Sequence, residues 1–395
     1  MDFELTEEQK SLIALAKDFG KREATPEYLS KLSEKEPKER VPWDLIDKMR
    51  DLGLITLTIP EKYGGGGGAD LVTQTLLAEA MGKYCGVLGL PATMYWKMFN
   101  EVATYCSEEV QEEIFTRAMS EPTFAMGEIA TEPDHGFDPV LPHDEPGSGL
   151  ATFAYRDGDE YVINGEKCFC GFVQAKILLV YVRTDKNKPL SQSMSVLMVP
   201  TDTPGFSIIR YNKFMHEISD LNADILFDNV RVPARYLIGE ENKGFDIFEG
   251  RRGLWVPYVG FRIGMTEAIY EYTKEFAKTR IQGGKPIFEH LTVGTRIVDM
   301  LLHLEQVRSL IYRTAWEYDQ EVKAGSKLVS SLGFNLCVAA WHNLDILFAG
   351  HAAEVFGGRV ALKDLPIEGF IRTAYGISHG YGTSNCNLIK SMSMI

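Results

Sequence analysis

The spacing of apolar residues changes twice along the chain. Up to about residue 121 they recur at helical intervals, and after about residue 240 they do so again. Between these blocks they gather in short alternating or continuous runs, the pattern of strands. In the first block Thr6 is an N-cap with Gln9 as its capping-box partner, ahead of Leu12, Leu15, Ala16 and Phe19 at helical spacing. Pro42-Trp43-Asp44 opens a further helix through Leu45, Met49 and Leu52, which Gly53 ends. Leu54 to Ile59 is a short apolar run that reads as extended. The run from Pro60 through Gly64 to Gly68 reads as a flexible turn. It lacks the Lys-Ser/Thr ending that would make it a phosphate-binding P-loop. Helical periodicity resumes over 71–81 and 107–119.

The middle block is densest in strand signals from Phe124 to Phe172. Both ends are rich in apolar, aromatic and β-branched residues, and Asp157-Gly158 marks a hairpin between two alternating runs. Strands are predicted again over 176–183, 194–200, 206–211 and 223–232. In the last block, helices are predicted over 241–278, 290–322, 325–356 and 364–380. Leu301, Leu304, Val307, Leu310 and Ile311 form one apolar stripe. The chain therefore reads as an α+β fold: an N-terminal helical domain (1–121), a middle β-barrel domain (122–240) and a C-terminal four-helix bundle (241–395).

Composition narrows the function classes. A formal net charge of −14 argues against nucleic acid as a partner. No apolar run reads as a membrane span, and the acidic start Met1-Asp2-Phe3-Glu4 lacks a signal-peptide layout, so the cytoplasm is the expected location. The six cysteines form no Cys-x-x-Cys pair and are expected as free thiols. The eight histidines show no ligand spacing, and no metal is expected.

Thr131-Glu132-Pro133-x-x-Gly136-x-Asp138, followed by Tyr161-Val162-Ile163-Asn164-Gly165-Glu166-Lys167, resembles the middle-domain signature of the flavin-dependent acyl-CoA dehydrogenase family. The resemblance extends over nearly the whole chain. It implies bound FAD, an acyl-CoA thioester substrate, an electron-transfer protein as acceptor, and a homo- or hetero-oligomer, expected as a tetramer. Ile129, Ala130 and Thr131 match the segment that hydrogen-bonds the flavin ring edge. Phe169 stands where the family has a flavin-packing Trp. Gly171 replaces a hydroxyl residue that bonds near flavin N5. Arg280, ahead of Gly283-Gly284-Lys285-Pro286-Ile287, resembles the Arg that reaches the pyrophosphate of a neighbouring subunit. Glu354-Val355-Phe356-Gly357-Gly358 resembles the family's Gln-x-x-Gly-Gly. There Glu354 adds a negative charge that Arg280 or Lys363 would have to offset. Thr383, in Gly382-Thr383-Ser384, matches a contact to the flavin diphosphate.

For the substrate, Phe137 replaces a Ser that touches flavin and thioester. Tyr95, with Trp96 and Phe99, would shorten the acyl pocket, although the cluster fits core packing equally well. Arg251 and Arg252, with Arg262, form a basic patch that would suit the adenylate end of coenzyme A; the alternative is a solvated helix face. Removing a Cα proton needs a general base. The family places a Glu at one of two positions, which are Tyr381 and Leu254 here. Glu249 is the acid nearest to the second, about a turn and a half away on a helix. Three readings stay open: an acyl-CoA flavoenzyme with another base or a variant reaction (reduction, cyclic diene formation, elimination), a supporting subunit of a heteromer, or a plain dehydrogenase.

Overall fold

Local signals set the first helices. The Thr6 hydroxyl of α1 (Glu7–Glu23) accepts from the Gln9 amide at 3.2 Å, and Gln9 Oε1 accepts from Thr6 N at 3.0 Å. Two amides that a helix start leaves without partners are thus satisfied. The computed structural model describes residues 4–33, 35–36, 39–136, 138–139, 144–145, 147–215, 221–326, 329–363, 365–377, 380 and 382–395. A short helix α2 (Pro26–Ser33), not foreseen from the sequence, precedes α3 (Trp43–Asp51). Gly53, at a φ of 78°, turns the chain out of α3.

Leu54 to Ile59 is not extended. It folds into turns whose side chains are buried. It has no ladder partner among the described residues; instead Trp96 Nε1 donates to Leu54 O at 2.8 Å, and Thr58 Oγ1 donates to Trp96 O at 3.1 Å. The glycine run is not a free turn either. Gly66, Gly67 and Gly68 donate to the carbonyls of Thr56, Ile59 and Leu57. A Cβ at Gly65 would lie 2.3 Å from Ile59 O, so the run packs where no side chain fits.

Helices α4 (Leu71–Cys85), α5 (Leu90–Tyr105) and α6 (Glu108–Ser120) complete the N-terminal part. The middle part holds β1 (Met126–Ile129), β2 (Phe153–Asp157), β3 (Glu160–Cys170), β4 (Ile177–Arg183), β5 (Met194–Pro200), β6 (Phe206–Tyr211), β7 (Ala223–Pro233) and β8 (Leu237–Ile238). They form an eight-stranded sheet in the order β6-β7-β3-β2-β4-β5-β8, with β1 on β4. Asp157 pairs with Glu160 across the predicted hairpin, where Gly158 takes a φ of 63°. One edge of β4 is shared: β1 runs parallel to its start, and β2 meets its end at Arg183.

The predicted helix over 241–278 is broken. It consists of α7 (Gly244–Gly250), a 3-10 turn (Arg252–Trp255) and α8 (Val256–Thr279). Pro257 sits in the first turn of α8, where its missing N–H costs nothing, and Gly253 lies against the ring of Tyr318. After α9 (Leu291–Lys323), the next helix begins at residue 332 rather than 325, since Gly325 turns at a φ of 90°; it is α10 (Leu332–Phe356). α11 (Pro366–Ile377) follows, and an unforeseen α12 (Ser384–Met392) ends the chain. Of the predicted stripe on α9, Leu304, Val307 and Ile311 are buried, whereas Leu301 faces outward.

α8 packs on α9 and α10, and α10 packs on α9, α11 and α12. α8 also crosses α4 at glycines: a Cβ at Gly82 would lie 1.9 Å from Phe261 O, and one at Gly264 1.9 Å from Glu79 O. One hydrophobic core accordingly runs through all three parts. By length and composition residues 332–361 could cross a membrane, contrary to the expectation of no such run, but 61% of that apolar window is buried inside the protein. All six cysteines are free thiols.

Candidate active site

Strand β3 carries the centre of the site. Its Lys167 is fully buried and donates to Ala130 O at 2.9 Å and to Glu132 Oε1 at 2.8 Å. The neighbouring amide of Cys168 donates to Thr131 O at 3.0 Å. Glu132 also accepts from the amides of Ala151 and Thr152. Burial alone would raise the Glu132 carboxyl, but the Lys167 charge and these hydrogen bonds outweigh it and hold it below the usual carboxylate range. Burial lowers Lys167 despite its partner Glu132. The pair fixes the segment from buried Ile129 to half-buried Thr131 against β3.

Phe169 is 60% exposed, at a φ of 52° that L-residues rarely adopt. The β3–β7 register shifts between Lys167 and Cys170, so Phe169 lies in a bulge. Its amide donates to Asp224 Oδ1 at 3.1 Å, and its carbonyl accepts from Asn222 Nδ2 at 3.0 Å. Asp224 in turn accepts from Arg210 Nε at 2.6 Å and Asn212 Nδ2 at 3.0 Å. Gly171, two residues on, is half-buried in a turn and brings no hydroxyl.

Of the predicted pyrophosphate residues, Arg280, Gly357 and Gly358 collect at one end of the bundle, whereas Asn387 ties the Thr383 loop to Arg252 at the far end of α8. Phe276 of α8 stacks on Phe356 of α10 with centroids 4.1 Å apart, which brings the two helix ends side by side. Arg280 caps α8, is exposed, and makes no ion pair among the described residues. Gly357 and Gly358 follow α10 and are open: a Cβ at either would meet nothing within 4 Å. Exposed Glu354 faces Arg296 of α9 at 3.7 Å, a cation that the sequence analysis did not single out. Thr383 N-caps α12, its hydroxyl accepting from the Cys386 amide at 3.3 Å.

The arginines are not a surface patch. Arg262 is paired with Asp345 at 2.7 Å inside the bundle, and both are almost fully buried. Arg251 is buried and donates to Tyr318 Oη at 3.1 Å and to the Thr104 hydroxyl. Arg252 is buried and donates to Asn387 Oδ1 at 3.1 Å; Asn387 Nδ2 donates in turn to the carbonyls of Gly382 and Thr383 at 3.0 Å. Arg252 therefore braces the Gly382-Thr383 loop from behind. Burial pulls its guanidinium down to about 10. These roles depend on which helices meet, and nothing in the spacing of the residues announces them.

Glu249 is held by Lys390 of α12 and by the Ser331 hydroxyl. Leu254 is buried in the 3-10 turn. Tyr95 is buried too, with Phe172 edge-on at 6.1 Å and Phe99 at 6.2 Å. Farther along α5, Glu101, the acid of the 95–101 segment that the sequence offers as another base, belongs to a charged cluster: buried Lys97 donates to Glu101 Oε1 at 2.7 Å and to Glu128 Oε2 at 2.6 Å, and its ammonium lies 4.8 Å from the Trp255 ring centre. Tyr181 Oη donates to Glu128 at 2.6 Å. Burial pushes the Glu101 carboxyl up to about 7. The i,i+4 spacing of Lys97 and Glu101 is the local signal for their pairing; Glu128 joins them from another element. Phe137 and Tyr381 lie outside the described residues.

Comparison with known proteins covers all three parts. Residues 6–122, 127–230 and 256–392 match the family models described as acyl-CoA dehydrogenase N-terminal, middle and C-terminal domains. A probable acyl-CoA dehydrogenase, YngJ, of Bacillus subtilis (strain 168) is 31% identical, with 97% of each chain covered. Acryloyl-CoA reductase (NADH) of Anaerotignum propionicum is 30% identical over 98% of this chain and 94% of its own. The solved structure of butyryl-CoA dehydrogenase from Megasphaera elsdenii superposes with a TM-score of 0.87 at 26% identity, over 100% of this chain and 99% of that one.

Proposed function

Because the chain belongs to the acyl-CoA dehydrogenase family and is thus a flavin-dependent oxidoreductase, we propose that it holds FAD and acts on an acyl-CoA thioester without the family's usual carboxylate base. The observation that carries this reading is the set of contacts from β3, which hold the Ile129–Thr131 segment beside the strand that bears the exposed Phe169 ring. An outward-facing flat ring suits a planar cofactor. The exposed guanidinium of Arg280, with no ion pair among the described residues, suits a pyrophosphate, and the bare backbone at Gly357 and Gly358 admits one closely. These residues fit FAD. Bound FAD would supply the acceptor for the substrate's β-hydride.

The proton is the open part of the reaction. Leu254 is apolar, and Glu249 is committed to Lys390 and Ser331. A buried acid on α5, Glu101 in the cluster around Lys97, sits at about 7, a value matched to proton transfer near neutrality. The apolar Leu254 and the engaged Glu249 favour a variant reaction, such as reduction, cyclic diene formation or elimination, over plain dehydrogenation. The similarity to an acryloyl-CoA reductase points the same way. Since Glu249 is engaged and Leu254 apolar, the supporting-subunit reading is the second one. An electron-transfer protein as redox partner, and an oligomer in which Arg280 and Gly357-Gly358 serve a neighbour's cofactor, complete the proposal.

The test begins with the visible spectrum of the purified protein and continues with anaerobic mixing with saturated, unsaturated and cyclic acyl-CoA thioesters. A yellow protein whose flavin band changes with one thioester class supports the enzyme reading. A colourless protein that takes up no FAD supports the supporting subunit.

A further inference from the structure

Phe169 combines features that a protein does not retain without a hold. Its large apolar ring is 60% exposed, although burial would be favourable. Its φ of 52° places an L-residue with a bulky side chain where glycine is the usual occupant. Both polar groups of its main chain are taken by side chains from the start of β7, Asp224 on the amide and Asn222 on the carbonyl. Asp224 is only 8% exposed and is itself oriented by Arg210 and Asn212. Burial works against its charge, yet Asn212, the Phe169 amide and Arg210 outweigh that and keep the carboxyl below the usual range.

A bulge re-aims a side chain, and here it turns the ring outward. Neither side chain of the clamp touches the ring through a hydrogen bond; both act on the backbone that sets its direction. We propose that Asp224, seconded by Asn222, is the positioning residue of the flavin site, holding Phe169 in its left-handed, outward-facing conformation. The inference rests on the reading of Phe169 as the face against which FAD packs.

A cycle of four proteins tests it: wild type, Phe169→Ala, Asp224→Ala and the double variant. FAD release from each holoprotein is followed by flavin fluorescence at equilibrium, together with the shape of the visible band. Phe169→Ala and Asp224→Ala are each expected to weaken FAD binding about tenfold, and the double variant by no more than about twofold beyond Phe169→Ala alone, because residues acting through one contact do not add. Asp224→Asn, which keeps an acceptor for the Phe169 amide, is expected to recover most of the affinity. Independent, multiplying effects of the two substitutions overturn the inference, as does an Asp224→Ala protein that binds FAD like wild type. If Phe169→Ala leaves binding unchanged, the flavin-packing reading itself fails and takes the inference with it. Should Asp224→Ala not fold, Asn222→Ala replaces it in the same cycle with the same expectations.

Discussion

At the scale of single residues, two carboxylates separate structural from chemical work. Glu249 is one of the bases the sequence suggests, yet it is held by Lys390 and Ser331. Glu249→Gln leaves a largely buried ammonium without its counter-charge, and should cost about 1–3 kcal/mol of stability in urea unfolding while leaving flavin reduction by a thioester unaffected. Loss of reduction at unchanged stability would make it the base after all. Glu101 behaves differently. Its carboxyl lies at about 7 in the fold, against 4.5 when exposed. The folded state binds the proton more tightly, so the stability it contributes is full below about 4.5 and is lost as pH rises through about 7. The stability of Glu101→Gln relative to wild type should therefore rise across that window; a flat difference in unfolding midpoints between pH 4.5 and 7 would refute the assignment. That Thr131 lies beside the strand bearing Phe169 was legible, since one signature spans both. Residue roles were less so. Arg252 reads as a substrate contact in sequence, but in the fold it braces a loop through Asn387, a partner 135 residues away that no local pattern connects to it.

At the scale of elements, periodicity and capping found the long helices and the strands of the middle sheet, because those signals are local. Breaks within helices were missed where the cause was tertiary. The helix over 241–278 divides at Arg252–Trp255, where Gly253 meets the Tyr318 ring of α9. Leu54 to Ile59 read as a strand because it is apolar, but its backbone is satisfied by turns and by an indole of α5. The crossing of α4 and α8 gives the clearest test. Replacing a helical glycine with alanine normally gains up to about 1 kcal/mol. At Gly264 the new methyl would lie 1.9 Å from the Glu79 carbonyl oxygen. Overpacking of this kind costs about 1–3 kcal/mol, so the clash wins and Gly264→Ala should lower the melting temperature. A variant as stable as wild type would mean that the two helices separate easily.

At the scale of the whole molecule, α9 exposes Leu291, Val298, Leu301 and Leu302, and Ile281 is exposed next to Arg280. Such a row of apolar side chains is a liability unless another surface covers it. We expect the protein to sediment as an oligomer. The double change Val298→Asp and Leu302→Asp should shift it to smaller species and reduce the flavin it retains, because Arg280 and Gly357-Gly358 are proposed to serve a neighbour. A wild-type monomer with bound flavin would contradict this. The three-part layout was legible in the sequence; the continuity of the core through all three parts was not, since it depends on where distant helices meet.

That continuity has a consequence for how the protein is made. α4 is buried on nearly every side, and it touches α1, α5, α8 and α9. The amides of Leu71 and Val72 at its start are received by the carboxylate of Asp319, which leaves the ribosome 247 residues after Val72. Until α8 and α9 have been synthesised, the nascent chain holds a helix, largely buried in the finished fold, that only α1 and α5 partly cover. The first part therefore completes its packing only when the last has been made, which leaves apolar surface of α4 open during synthesis.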